Sequence, residues 1–514
     1  MVSLKSFIVA NGLTLLPALV AGSPVMPRYF QGKLFSRDNL TASTVEAELG
    51  PQLSTGSLIF GPDDSEWANA TSRWNTLVRP DVQLVVEPAA ESDIAKIIKY
   101  CNDNSIEFLV RNRGHGITSA LSNFSGVEID VDQLLGVTIQ ADSETAILQA
   151  GTYGAQVIQA LWDEGYVTTT GSTPCVGLMG PALGGGHARY EGLYGMVMDD
   201  ILHYNLVLAN GTEIGVNETS HSDLLWALKG AGHNFGVVTS IVKKIYPKET
   251  DTWHYHTYTW TQDKLEAVFE ALNTFHKSDN GTTPPKMGVN YGSIIMNTSI
   301  STTEAVLEWG FNYAGPADEA EALLEPFNAI GAVTEDMGDV SYPTISGVTS
   351  DDCGSANYVI ASVMTLEYNV TAERALYDHY IAKVAQYPDL ATTAYLWHEG
   401  YATAGYQAIP SDSTAYPHRE ENHLMFFSTA VPEGSDLLDT AETWAKEAWD
   451  LWNGGQPDRQ PQTYVNYAAG HDYETLDSIY GYESWRLDRL RSLKAAYDPD
   501  NRFRFFVPIV SDSA

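Results

Sequence analysis

The chain has 514 residues, 44% of them hydrophobic and 18% charged, with 29 lysines and arginines against 65 aspartates and glutamates. That composition is globular rather than disordered, and the length exceeds one simple core, so two or three folding units are expected. A formal charge of −36 repels phosphate backbones and anionic membranes, which excludes nucleic acid as a partner and leaves extracellular solubility as the meaning of the charge.

The first residues read MVSLKSFIVANGLTLLPALVAGSP. Lys5 precedes an apolar run, Phe7 to Val20, that is too short for a membrane span. The small residues Ala21, Gly22 and Ser23 follow, as a signal peptidase requires. A secretory signal over residues 1–22 is expected, and no later stretch is long enough for a membrane anchor. Residues 23–75 form an N-terminal segment of mixed character. Asn-X-Ser/Thr occurs at Asn39, Asn69, Asn123, Asn210, Asn217, Asn280, Asn297 and Asn369. Each is a candidate glycan site on a surface loop, consistent with the secretory route.

From about residue 76 strands and helices alternate. VQLVVEP reads as a strand and ESDIAKIIKYCNDN as a helix, with Ser92 its expected N-cap. IEFLV, GVEIDV, GVTIQ and AILQAG read as strands and YGAQVIQALWDEG as a helix. ILHYNLVLANGTEI reads as a hairpin turned at Asn210-Gly211; HSDLLWALKG is a short helix and GVVTSIVKKIYP a strand. Near residue 249 the texture changes. TWHYHTYTWT is an aromatic alternating strand, followed by the helical runs DKLEAVFEALNTFHK and EAEALLEPFNAIG. The tail ESWRLDRLRSLKAAYDPDNRFRF is a helix stopped at Asp498-Pro499.

Only three cysteines occur, Cys101, Cys175 and Cys353. An odd, sparse set is no disulfide framework, and at most one bridge can form. Cys101 continues the spacing of Ile94, Ile97 and Ile98 and reads as a buried helix-face residue. No cysteine pair has metal-site spacing, so no structural zinc is expected.

The densest glycine cluster is PCVGLMGPALGGGHARYEGLYG, where Gly184, Gly185 and Gly186 allow close backbone approach to a pyrophosphate. GAGHNFG, residues 230–236, follows a helix and precedes a strand, the reverse of a dinucleotide fingerprint, and reads as a tight turn near a ligand. Sequences for a serine hydrolase, a zinc protease or a P-loop are absent. Asp199-Asp200 and Glu420-Glu421 read as solvated or structural, and His418 and Arg419 as surface charge. In TYVNYAAG, read as a strand, Tyr464 and Asn466 share one face and Tyr467 the other unless the strand ends or bulges.

FLVRNRGHG, GVEIDVDQLLGVTI with AILQAG, VGLMGPALGGGHARYEGLYG, and YVNYA with LKAAYDPDNRFRF occur in that order. Together they resemble the berberine bridge enzyme-like branch of the vanillyl alcohol oxidase and p-cresol methylhydroxylase family, over about residues 76–248 and 461–509. The resemblance implies an α+β fold: a split two-part FAD-binding domain over 76–248, an inserted substrate domain of antiparallel sheet and helices over 249–460, and a C-terminal module, 461–514, that returns to the flavin domain. It implies FAD held near Arg111, Gly114, Gly116 and Gly184 to Gly186 and bonded covalently to His115. It implies Tyr467 as active-site base with Tyr464 and Asn466 as neighbours. Relatives with a second flavin bond use a cysteine where this chain has Thr173, and Cys175 stands two residues away, so attachment through His115 alone is expected. Where relatives have glycine after Asn112, this chain has Arg113.

The implied reaction takes hydride from a C–H beside oxygen or nitrogen of a small molecule, with dioxygen as acceptor. Single-histidine attachment in similar fungal proteins points to secondary-metabolite biosynthesis; the alternatives are a carbohydrate oxidase and a flavoprotein scaffold without redox turnover.

Overall fold

The structure, a computed structural model, describes residues 40–349 and 353–510. The expected signal segment and the Asn39 sequon lie outside the described residues. Helix Glu91–Asp103 starts from Ala90 rather than Ser92. Ser92 falls inside the first turn, where Glu91 and Asp93 complement the helix dipole instead. The helix buries Ile94, Ile97, Ile98 and Cys101 against strands Asp81–Glu87, Phe108–Arg111 and Ser125–Asp130. These strands pair in parallel in a four-stranded sheet, joined by the antiparallel edge Leu58–Phe60. A second sheet of five antiparallel strands runs in the order Val137–Ile139, Thr145–Gln149, Val237–Lys244, Ile201–Val207, Glu213–Asn217. The hairpin between its last two strands turns at Gly211, whose φ is +76°.

A seven-stranded antiparallel sheet begins at Trp253–Thr261. Its order is Thr334–Val340, Trp253–Thr261, Val306–Tyr313, Asn290–Ile295, Tyr395–Gly400, His423–Ala430, Tyr358–Thr365. The two-residue period of a strand divides it into two faces. Ile294, Leu307, Leu396 and Phe427 pack under helices Leu265–Phe275, Ala317–Asn328, Val370–Gln386 and Leu438–Gly454. The alternate residues Ser293, Glu308, Trp397 and Phe426 face a cavity shared with the first two sheets.

After helix Leu438–Gly454 the chain returns. Helix Ser484–Tyr497 carries Lys494, whose ammonium donates to the Asn234 carbonyl at 2.8 Å and to Asp498 at 2.7 Å. Asn234 Nδ2 donates to the Val507 carbonyl at 3.2 Å, and Arg502 to that of Ile106 at 2.7 Å. Two charges expected at the surface are buried: Arg419 forms a double hydrogen bond with Asp199 at 2.7 and 2.8 Å, and His418 lies 3.1 Å from the carbonyls of Thr463 and Ile479. His418 is covered by the returning segment, and Arg419 by Asp199, Tyr406 and Thr414; local sequence reveals neither.

Cys175 and Cys353 form a disulfide across 178 residues, joining the glycine-rich segment to the loop before strand Tyr358–Thr365; Cys101 is free and buried. Denatured, unreduced protein is expected to titrate Cys101 alone, and all three cysteines after reduction. Cys353→Ser is expected to cost about 2–5 kcal/mol, read as a lower Tm. Equal thiol counts before and after reduction would refute the pairing.

Candidate active site

A cavity of about 850 Å³ opens between the three sheets and the returning C-terminal segment. That is at the large end of ligand pockets. Its first wall is the loop after strand Phe108–Arg111. Arg113 and Gly114 both adopt left-handed backbone, with φ of +61° and +68°. A Cβ on Gly114 would stand 2.6 Å from the Ser72 carbonyl oxygen. The glycine is therefore required by the backbone behind it. Arg113 tolerates its conformation with its guanidinium 3.9 Å from the Tyr153 ring centroid and an ion pair to Asp132 at 3.5 Å. Arg111 braces the loop from within, bonded to Asp130 at 2.8 Å and Ser72 Oγ at 3.0 Å.

This loop presents His115 and Gly116 to the cavity. Burial and the nearby Arg111 and Arg113 push the His115 imidazole down to about 4, although its contact with the Arg113 carbonyl, 3.1 Å from Nδ1, opposes the shift. His115 is thus neutral at ordinary pH, the state in which an imidazole nitrogen is nucleophilic. Nε2 lies 3.7 Å from Cys175 Sγ. That sulfur is bonded to Cys353 and is not a free thiol.

The second wall is the segment around Tyr467. It is a 3-10 turn, Val465–Tyr467, and not a strand. The turn ends the two-sided alternation, so Asn466 and Tyr467 both reach the cavity while Tyr464 packs behind. The Tyr464 hydroxyl accepts from Asn466 Nδ2 at 2.7 Å and from the Gly186 N–H at 3.0 Å. Gly184, Gly185 and Gly186, expected beside a pyrophosphate, do not line the cavity. A Cβ on Gly184 would meet Asn466 Oδ1 at 2.1 Å, so close packing against the returning turn demands that glycine. Gly177, Gly180 and Pro181 form the wall instead.

The third wall contains residues that the sequence reading missed. Glu399 Oε1 accepts from the Tyr467 hydroxyl at 3.1 Å and from Trp397 Nε1 at 3.0 Å, and Oε2 accepts from Tyr401. Burial raises the Glu399 carboxyl above its ordinary 4.5; the donors from Tyr401, Trp397 and Tyr467 and the nearby His187 draw it back in part. Burial and then the Glu399 charge hold Tyr467 well above 10. Tyr467 is therefore a protonated phenol that donates to a carboxylate. The available sequence signal was the alternation of Tyr395, Trp397 and Glu399 on one strand face, where a carboxylate shares a side with aromatic rings.

Two buried acceptors of cavity-lining residues lack a hydrogen-bond partner among the described residues: Asn112 Oδ1 and His233 Nδ1. His233 donates through Nε2 to the Gly180 carbonyl at 2.9 Å, which leaves Nδ1 as an acceptor. Buried acceptors of this kind call for a ligand rich in hydroxyl and N–H donors, which describes the ribityl chain and ring edge of a flavin. Gly114→Ala is expected to cost about 1–3 kcal/mol through the strained backbone alone and to lower FAD content, measured as flavin absorbance per protein. Full FAD occupancy in that variant would show that the loop tolerates the change.

Residues 82–217 match the family model described as an FAD binding domain, and residues 463–509 match berberine and berberine like. FAD-linked oxidoreductase iacH of Pestalotiopsis fici is 77% identical over 514 residues, covering 100% of both chains. Physcomitrella patens BBE-like 1 shares the fold with a TM-score of 0.77 at 20% identity, over 92% of this chain and 100% of its own. The glucooligosaccharide oxidase of Acremonium strictum, which carries a 6-S-cysteinyl, 8α-N1-histidyl FAD, gives 0.75 at 19% identity, over 91% and 99%. With a cavity fit for flavin and 77% identity to an FAD-linked oxidoreductase along its whole length, the chain belongs to the berberine bridge enzyme-like family of FAD-linked oxidoreductases.

Proposed function

We propose that the chain is a secreted oxidase that takes hydride from a C–H beside oxygen or nitrogen of a small aromatic secondary metabolite, with FAD tethered through His115 alone and dioxygen as acceptor. The observation that carries this reading is the Tyr467–Glu399 pair, 3.1 Å apart and buried at the cavity wall. FAD held beside His115 would supply the hydride acceptor and the route for electrons to dioxygen. The chain supplies the path for the proton. As the substrate O–H or N–H bond breaks, its proton passes to Tyr467 Oη while the phenolic proton passes to Glu399 Oε1. The phenol ends as it began, and no free phenolate is needed. The neutral His115 and the engagement of Cys175 with Cys353 support a single covalent attachment.

The substrate class is read from the sheet face. Ser293, Trp397, Phe426 and Ser362 stand opposite one another in register across four strands. Tyr291, Tyr395 and Phe426 surround Trp397 with ring centroids 5.4, 6.0 and 6.1 Å away. This wall suits a flat apolar ring better than a sugar. Of the seven described sequon asparagines, five are exposed and two half-buried. That arrangement accommodates glycans and supports the secretory route.

Denatured wild-type protein is expected to keep flavin fluorescence in its gel band, and His115→Ala to lose it; release of all FAD from denatured wild type would end the covalent reading. In anaerobic mixing with aryl and alkyl alcohols and with oligosaccharides, flavin bleaching is expected with the aryl set. Substrate conversion without bleaching would establish the scaffold reading. Tyr467→Phe and Glu399→Gln are each expected to slow reduction about 10²–10⁴-fold with little change in substrate binding. Activity requires ionised Glu399, whose carboxyl is raised, so wild-type rates fall with falling pH already above 4.5, and this acid limb disappears in Glu399→Gln. An unchanged acid limb would place the proton acceptor elsewhere.

A further inference from the structure

Outside the cavity, on the opposite part of the sheet order, two histidines converge on one carboxylate. His254 and His256 alternate on strand Trp253–Thr261 and so share a face. Helix Ala317–Asn328 lays Glu321 across them. Glu321 Oε1 is 2.9 Å from His254 Nε2 and 2.8 Å from His256 Nδ1, and the three ligand atoms lie within 4.8 Å of one another. Both imidazoles are buried, while the Glu321 side chain is 28% exposed, so the cluster is reached from solvent on the carboxylate side.

The hydrogen-bond pattern around the cluster is that of a ligand set. Asp339, on the adjacent edge strand Thr334–Val340, stands 2.7 Å from the other nitrogen of His254, Nδ1. A carboxylate on the ring nitrogen opposite the ligand atom is the arrangement that orients metal-bound histidines. His254 Nε2 and His256 Nδ1 converge on the same Glu321 oxygen, at 2.9 and 2.8 Å. The Tyr258 hydroxyl stands 3.0 Å from His256 Nδ1 and donates to Asn328 Oδ1 at 2.6 Å. His256 Nε2 is buried and has no hydrogen-bond partner among the described residues; the nearest acid, Glu335, is 3.7 Å away.

We infer that His254, His256 and Glu321 form a binding site for a divalent transition metal, zinc above all, that pins helix Ala317–Asn328 to the edge of the seven-stranded sheet. Two imidazoles and one carboxylate select zinc over magnesium or calcium. Ligand atoms 2.8 to 2.9 Å apart open only slightly to accept an ion about 2.0–2.2 Å from each. Three protein ligands leave one tetrahedral position for water. The His-X-His trace is legible at residues 254–256, but Glu321 and Asp339 join it only through the fold.

The test uses tag-free, FAD-loaded full-length protein stripped with a chelator and titrated calorimetrically with zinc chloride. One saturable equivalent and a raised Tm are expected in wild type, with magnesium chloride giving neither. Glu321→Gln and His256→Asn are each expected to weaken zinc binding at least tenfold while retaining the flavin spectrum. Zinc-edge X-ray absorption on wild type supplies a measurement independent of any variant's folding and is expected to report two imidazole ligands. No saturable zinc binding, equal binding in variants that keep the flavin spectrum, or a zinc site without two imidazoles would each overturn the inference.

Discussion

A carboxylate buried like that of Glu399 costs several kcal/mol unless hydrogen-bond donors surround it. Its donors come from two distant parts of the chain: Trp397 and Tyr401 lie on or just beyond its own strand, and Tyr467 belongs to the returning C-terminal segment. Satisfying Glu399 therefore requires the split domain to close. The same return covers His418 and the Asn234 turn, so their burial and the closure over Glu399 depend on one event. The phenol and the carboxylate also define each other. Glu399 keeps Tyr467 protonated, and Tyr467 keeps Glu399 ionisable in a dry wall.

The opposite wall is organised by a different economy of groups. Arg111 is committed to Asp130 and to the Ser72 segment, and this holds the left-handed pair Arg113-Gly114 that turns His115 inward. Cys175, two residues from the position where some relatives carry a second flavin bond, is tied to Cys353 beside His115 Nε2. The bridge links the glycine-rich segment to the loop before strand Tyr358–Thr365. It does so with a residue whose sulfur lies 3.7 Å from His115 Nε2.

Much of the framework is legible because strands and helices declare themselves by period. The alternation from residue 76 and the aromatic strand at Trp253–Thr261 appear where their patterns place them. The ordered motifs also point to flavin. The errors have physical causes. Ser92 is a good capping residue, but the helix starts one residue earlier than it. Tyr464 to Tyr467 have strand-like composition, yet the turn that ends the segment is set by packing against Gly184. Gly184 serves that packing, while Gly185 lies against Met196 and Tyr416 and Gly186 against Val197; a glycine's reason is invisible until its neighbour is known.

The sequence by itself determined the family and the flavin, because these rest on local motifs in a set order. It also determined which strand face is apolar and which mixed, because the period of a strand is a property of the chain. Only the tertiary structure decided that Glu399 is the partner of Tyr467, that Cys175 pairs with Cys353, and that Glu321 meets His254 and His256. Each of these joins side chains more than sixty residues apart. No local pattern encodes such contacts; they arise when sheet register and the returning segment bring the groups within hydrogen-bonding or bonding distance.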